Sequence, residues 1–198
     1  MAIIALAIFP FLFGPPAYVA SQYREAWRNL QACAAVTEHR FADINGVLRT
    51  FGTQFGPQSS KLVRVAGGAL FAVLFYWGAR RLREPLSYLW LYALATGYLM
   101  LFNPMNEENS YVILAPALGI WGALFLFRLK DAPSRSLAWI LGAMALSMGL
   151  LPNLVRPLFG NHFALFWHPV MTVLFLAILT WFIGRSQPET TPTAAEPA

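Results

Sequence analysis

A short polar stretch between two apolar runs carries the densest set of side chains that could do chemistry. Residues 102–116 read FNPMNEENSYVILAP, and the central polar side chains are Asn106, Glu107, Glu108 and Asn109. A turn between helices needs fewer polar groups than this. Amides and carboxylates hydrogen-bond sugar hydroxyls, and carboxylate oxygens also suit a divalent cation. The alternative is a solvated loop in which Asn109 or Ser110 caps a helix that begins at Tyr111.

A second candidate precedes the first long apolar run, where residues 38–51 read EHRFADINGVLRTF. The pattern places Arg40, Asp43 and Arg49 on the polar side of a short helix. Two guanidinium groups near a membrane interface can hold a lipid-linked phosphate through paired hydrogen bonds. The alternative is an Arg40–Asp43 surface pair that contributes little energy.

A third candidate is Arg156 with His162, in the polar connection over residues 152–162. Either side chain could contact a phosphate, and either could equally anchor a helix end. His162 and His168 are six residues apart, and no third ligand is paired with them, so the spacing does not indicate a metal site. No cofactor is predicted, although the acidic loop would tolerate a divalent cation. No signature of a soluble enzyme occurs in the chain.

The elements that must position these residues are apolar helices. Of the 198 residues, 58% are hydrophobic and 12% are charged, and a soluble domain carries about twice that charged fraction. The apolar residues form long runs separated by short polar links, which is typical of membrane spans. The sequence therefore predicts an all-α polytopic membrane protein with about five transmembrane helices, at residues 63–79, 86–102, 111–127, 137–151 and 163–183.

The N-terminal third lacks a predicted span. Residues 1–13 form an apolar run too short to cross a membrane, and we expect a short helix there, the truncated end of a span. Residues 14–61 form a long polar connection that contains two amphipathic patterns, which predict short helices lying on the membrane surface or packed over the spans. The apolar positions of these patterns are Val19, Tyr23, Trp27, Leu30 and Ala34, and then Phe41, Ile44, Leu48 and Phe51. We assign residues 1–184 to one transmembrane domain and 185–198 to a disordered tail.

Two local signals bear on how the spans pack. Ala93 and Gly97, like Ala145 and Gly149, are small residues four positions apart, which permits close helix contact. Pro116 lies inside an apolar run and predicts a kink there, because proline lacks a backbone N–H.

The short loops predict an orientation. Residues 79–85 and 128–136 carry three basic residues each, whereas residues 103–110 carry two acids and no base. Basic loops remain on the cytoplasmic side, so loops 14–61, 103–110 and 152–162 are predicted to be external and the C-terminus cytoplasmic, in a plasma (inner) membrane. The net charge of +5 follows from basic residues at span ends, which argues against nucleic-acid binding.

Three segments in this order resemble a known family: AYVASQYREAWRNL, RFADINGVLRTFG and FNPMNEENSYVILAPALG. Over most of residues 11–184 the chain resembles the C-terminal half of GT-C class membrane glycosyltransferases, and within that class glycosyltransferase family 87, the alpha-mannosyltransferase-like proteins. The resemblance implies transfer of a mannose-like hexose from a polyprenyl-phosphate sugar to a lipid or glycan acceptor on the external face.

The resemblance does not supply a catalytic residue. Such enzymes use a carboxylate base in an external loop near their N-terminus, and the corresponding region has no match in this chain. Glu107 and Glu108 are therefore assigned only to substrate or ion contact. The alternative function is a non-catalytic membrane subunit, a scaffold or a transport element, which works with a partner that supplies the missing helices. The predicted spans hold few ionisable residues, which argues against transport.

Overall fold

The computed structural model describes residues 4, 7–35, 41–53, 55–104, 106–129, 132–160 and 162–185. Every regular element within these ranges is a helix. The chain divides into two compact units, Met1–His39 and Arg40–Ala198, inside the stretch that the sequence assigns to one domain. Apart from Arg185, the predicted tail lies outside the described residues.

The first unit consists of a short turn and one amphipathic helix. The turn is a 3-10 helix at Phe9–Leu12, and helix α1, Pro16–Ala35, has 20 residues. The Tyr23 hydroxyl donates a hydrogen bond of 2.9 Å to the Ala7 carbonyl oxygen, and the Tyr23 ring stacks on Phe11 at 5.9 Å between centroids. The amphipathic pattern therefore predicts α1 correctly, but the helix is longer than the short element expected.

The second unit holds the membrane helices. Its elements are α2 (Ile44–Thr50), α3 (Pro57–Ala79), α4 (Leu86–Phe102), a 3-10 helix (Glu108–Leu114), α5 (Ala115–Ala123), a π-helical turn (Leu124–Arg128), α6 (Ala132–Phe159) and α7 (His162–Arg185). Among the residues that the structure describes, four stretches are long and apolar enough to cross a membrane: Pro57–Ala79, Glu108–Arg128, Pro133–Phe159 and His162–Arg185. The shorter apolar helix α4 has 17 residues. The chain is therefore an all-α polytopic membrane protein, as predicted.

Helix α4 packs between α3 and α7 through small residues on each side. The indole of Trp90 is fully buried and donates a hydrogen bond of 3.1 Å to the Leu74 carbonyl oxygen of α3. It lies directly over Gly78, where an added Cβ would stand 2.6 Å from the Trp90 Cδ1. On the α7 side, a Cβ at Gly97 would stand 2.7 Å from the Leu176 Cδ1. The close contact predicted for Ala93 and Gly97 is confirmed.

Helix α6 continues well past its predicted end. The sequence predicts a span over 137–151 and a loop over 152–162, but the helix runs to Phe159 through Pro152 and Pro157. Pro152 has no N–H for the carbonyl oxygen of Met148 one turn earlier. The Nε2 atom of His168 on α7 lies 3.1 Å from that oxygen. A side chain of the neighbouring helix thus replaces the lost donor, which allows a proline inside a membrane helix.

The third predicted span, 111–127, lies within the stretch Glu108–Arg128, which is composite. Its 3-10 turns change to α-helix at Ala115, which puts Pro116 in the first turn of α5. A first-turn proline costs no helical hydrogen bond, because that N–H has no partner inside the helix. The sequence predicts a kink inside one helix, and the structure shows a change of helix type at this proline.

Long-range contacts identify the segments that meet at each end of the bundle. At one end, the Ala42 N–H donates to the Asn106 carbonyl oxygen at 2.8 Å, and Arg156 pairs with Glu108. At the opposite end, Arg81 donates to the Gly184 carbonyl oxygen at 3.0 Å. Parts of all three loops predicted to be external therefore share one end, which we call the polar end.

Candidate functional site

A cavity of about 340 Å³ opens at the polar end, between the composite span, α6 and α7. Its polar lining comprises Glu108, Asn109, Tyr111, Asn153 and His168. Ala145 and Gly149 of α6 form part of its apolar wall. These two small residues were expected to permit close helix contact, but they leave space instead, and a Cβ added at Gly149 would meet nothing within 4 Å.

An ion pair joins two of the predicted site residues beside this cavity. Arg156 Nη2 lies 3.1 Å from Glu108 Oε2, and the two side chains are 49% and 30% exposed. The pair connects the beginning of the composite span to the end of α6. An ion pair this exposed contributes little to the stability of the fold, so its importance lies in the charges that it places beside the cavity. It places a cationic group next to the carboxylate that lines the cavity.

His168 lines the cavity, but its ring is buried and packed between helices. The side chain is 3% exposed, and its ring packs on Tyr111 at 4.8 Å between centroids. Its Nδ1 lies 3.0 Å from the Ala164 carbonyl oxygen, and its Nε2 lies 3.1 Å from that of Met148. Because Pro152 leaves the Met148 oxygen without a helical donor, we assign the ring hydrogen to Nε2. Nε2 is then engaged by the Met148 oxygen, and Nδ1, which carries no hydrogen in this tautomer, faces the Ala164 carbonyl oxygen.

Tyr111 and Asn106 hold the acidic loop in place. The Tyr111 hydroxyl lies 2.7 Å from the Ala42 carbonyl oxygen and 3.1 Å from that of Met100. Asn106 is fully buried, and its Nδ2 donates to the Met100 oxygen at 2.6 Å. The last carbonyls of a helix lack partners within it, so Asn106 satisfies the end of α4. Asn106 therefore has a structural position outside the cavity lining, and the substrate contact predicted from sequence stays a prediction.

Asp43 also has a structural position. It is the N-cap of α2, where its Oδ1 accepts a hydrogen bond of 2.6 Å from the Gly46 N–H, and it is buried. Burial raises the pKa of the Asp43 carboxyl, and the Gly46 N–H and the Arg49 guanidinium, 3.8 Å away, partly offset this rise. Asp43 was predicted on the polar side of a short helix, but it lies buried at the helix N-terminus. Arg49 is half-buried beside it, and Arg40 lies outside the described residues.

The other predicted residues separate into two groups. Asn109 lines the cavity, whereas Glu107 and His162 are exposed and are not part of its lining. The capping alternative for Asn109 or Ser110 is wrong, because the N-cap position is Glu107, and its side chain makes no capping bond. Within the described ranges, no three His, Cys, Asp or Glu side chains cluster as metal ligands would.

Asn153 and His168 were missed as lining residues. Sequence reasoning assigned Asn153 to a loop and considered His168 only as a metal ligand. The available signal was that each is a polar residue beside a proline, Asn153 just after one predicted span and His168 inside the next. Polar residues at membrane depth are rare and tend to face the bundle interior.

The arrangement suits an amphiphile with hydroxyl groups. At the mouth, the Glu108 carboxylate and the amide oxygens of Asn109 and Asn153 can accept hydrogen bonds. The wall is apolar, and it includes Val112, which is 72% exposed on the outside of the bundle. Comparison of the chain with protein-family models, curated proteins and solved structures finds no match.

Proposed function

We propose that this chain is part of a membrane glycosyltransferase and binds a polyprenyl-phosphate sugar at the polar-end cavity. The observation that carries this proposal is the Glu108–Arg156 pair at 3.1 Å beside a cavity with an apolar wall. Acceptors for sugar hydroxyls, a cation for phosphate and an apolar wall for the lipid are then adjacent. These are the three chemical parts of a polyprenyl-phosphate sugar.

The proposed roles follow from position. Glu108, Asn109 and Asn153 accept hydrogen bonds from the sugar, and Arg156 neutralises the phosphate that leaves with the lipid. The polyprenyl chain extends past Val112 into the bilayer. A volume of about 340 Å³ is near the lower limit for ligand pockets, which favours a single hexose. We assign no catalytic base, because Glu108, the one acid among the described lining residues, is paired with Arg156.

The proposed orientation places the cavity on the external face of the plasma (inner) membrane. Its support is the charge at the end of the bundle opposite the cavity, where the arginines Arg80, Arg81, Arg83, Arg128 and Arg185 follow or end helices. Basic residues at span ends favour the cytoplasmic side.

A matched pair of glycine substitutions tests the binding site. Gly149→Leu fills the cavity, whereas Gly142→Leu adds the same side chain to open space two turns earlier on α6. Native mass spectrometry of the chain in nanodiscs would measure binding of polyprenyl-phosphate mannose. We expect Gly149→Leu to weaken binding at least about tenfold, equivalent to about 1.4 kcal/mol, and Gly142→Leu to leave it unchanged. Equal binding by both variants would contradict the proposed site.

A second candidate function is a non-catalytic subunit that holds the lipid-linked sugar for a partner. It is favoured by the state of Glu108, which is the only acid lining the cavity among the described residues and is already paired with Arg156. A purified chain that transfers mannose to an acceptor lipid without added protein would exclude this second candidate. Binding without transfer is expected under both candidates, because neither assigns a catalytic base to this chain.

A further inference from the structure

Helix α1 has an apolar face that is covered along only half of its length. Val19, Tyr23, Trp27 and Leu30 follow one another at helical spacing. Val19 is buried, and Tyr23 bonds to the N-terminal segment. Trp27 and Leu30 continue the same face and are 63% and 60% exposed. The 3-10 turn at Phe9–Leu12 therefore packs on the first half of the face and leaves the second half open.

Charge is distributed unevenly around this open face. At about 100° per residue, Arg24 lies about 60° from Trp27 and Arg28 about 100° from it, on the same side. Glu25, the one acid in α1, lies about 160° from Trp27. Measured from Leu30, Arg24 lies about 120° away, Glu25 about 140° and Arg28 about 160°. Arg24 therefore borders the open face, whereas Arg28 lies beside Glu25 on the polar side of the helix.

We propose that the face formed by Trp27 and Leu30 inserts into the boundary between headgroups and acyl chains of a bilayer that contains anionic lipids. Tryptophan and tyrosine favour this boundary because their rings are apolar and their N–H or O–H groups remain hydrated. Arginines on the polar face attract anionic headgroups. Helix α1 is not among the candidate spans, so the contact is with the membrane surface.

A bilayer is the occupant most accessible to this face. The membrane helix α3 begins at Pro57, and 21 residues separate Ala35 from it. A tether of that length keeps α1 at a high effective concentration near the membrane. At about 1.5 Å per residue, the 20-residue helix extends about 30 Å along the surface. This inference does not depend on the proposed glycosyltransferase function.

Spin-label depth measurements on the full chain test the proposal. The native cysteine is removed by Cys33→Ala, and a label is attached at Leu30→Cys or, as the matched control on the opposite face, at Ala32→Cys. Power saturation in nanodiscs of phosphatidylcholine and phosphatidylglycerol compares collisions with oxygen, which dissolves in lipid, and with a water-soluble nickel chelate. We expect the label at position 30 to favour oxygen and the label at 32 to favour nickel. Far-UV circular dichroism checks that both variants are folded.

Two results would overturn the insertion. A label at position 30 that is shielded from both reagents would mean that protein covers the face, and one that favours nickel would mean that the face is in water. The anionic requirement has its own test in the double variant Arg24→Gln/Arg28→Gln and in nanodiscs of phosphatidylcholine alone. We expect either change to shift the label at 30 towards water. An unchanged depth under both conditions would refute the role of anionic lipid.

Discussion

The hydrogen bond from His168 to the Met148 carbonyl oxygen leads to a prediction that involves two substitutions. His168→Phe preserves a ring against Tyr111 but removes the ring N–H that donates to an oxygen whose usual helical donor is absent at Pro152. A buried acceptor left unpaired costs about 1–3 kcal/mol, although measured couplings between membrane helices average about 0.6 kcal/mol and reach about 1.7. We therefore expect His168→Phe to lower the free energy of unfolding by about 1–2 kcal/mol.

Pro152→Ala should reduce this cost, because it restores a backbone N–H one turn after Met148 in a helix that is continuous there. In the Pro152→Ala background, we expect His168→Phe to lower the free energy of unfolding by less than about 0.5 kcal/mol. A difference of that size, about 0.5 kcal/mol, is no larger than the deviation from additivity seen between independent sites. Reversible unfolding by SDS in mixed micelles, followed by circular dichroism, would measure all four variants. Leu174→Phe, at an exposed position on the same helix, is the control and should change little. An equal cost of His168→Phe in both backgrounds would refute the assignment of the hydrogen bond.

Three further predictions use the same measurement of unfolding. Gly78→Ala forces a Cβ against the buried Trp90 ring and should lower the free energy of unfolding by about 1–3 kcal/mol. Gly142→Ala, in open space, should raise it by up to about 1 kcal/mol. Equal effects of the two substitutions would contradict the packing of Trp90 on Gly78. Because the folded-state pKa of Asp43 is raised above 3.8, its carboxyl favours folding below that pH and loses this contribution as pH rises through the folded value. Asp43→Asn retains the cap and should therefore become progressively more stable than wild type as pH rises from below 3.8, and a constant difference would be evidence against the shift. Tyr111→Phe should cost about 1–2 kcal/mol and its exposed control Tyr88→Phe almost nothing; a stable Tyr111→Phe protein would show that the hydroxyl does not hold the loop.

Two pairs of small residues show how far local sequence predicts packing. Both pairs have a spacing of four residues on an apolar helix: the first is Ala93 with Gly97, and the second is Ala145 with Gly149. The first pair faces α7 closely, and the second faces a cavity. Spacing indicates that a partner can approach, but the positions of the other helices decide whether one does. The sequence therefore predicts the helices well and their contacts only in part.

The candidate site shows the same division. Glu108, Asn109 and Arg156 were predicted as site residues, because charged and amide groups concentrated between apolar runs stand out in one dimension. Asn106 and Asp43 have the same chemical character, yet both are buried where they satisfy helix ends. Which polar group satisfies backbone and which one lines a cavity depends on partners far away in the chain, and these cannot be identified from the neighbouring residues.

The amino-acid sequence by itself determined that this chain is helical and embedded in a membrane, since the length of an apolar run is a local property set by the thickness of the bilayer. It also determined the amphipathic face of α1, because helical periodicity is local too. The tertiary structure decided where α6 ends, because the continuation past Pro152 requires a donor from another helix. It also decided which side chains share a cavity, since burial and hydrogen bonding are satisfied between elements that are distant in sequence.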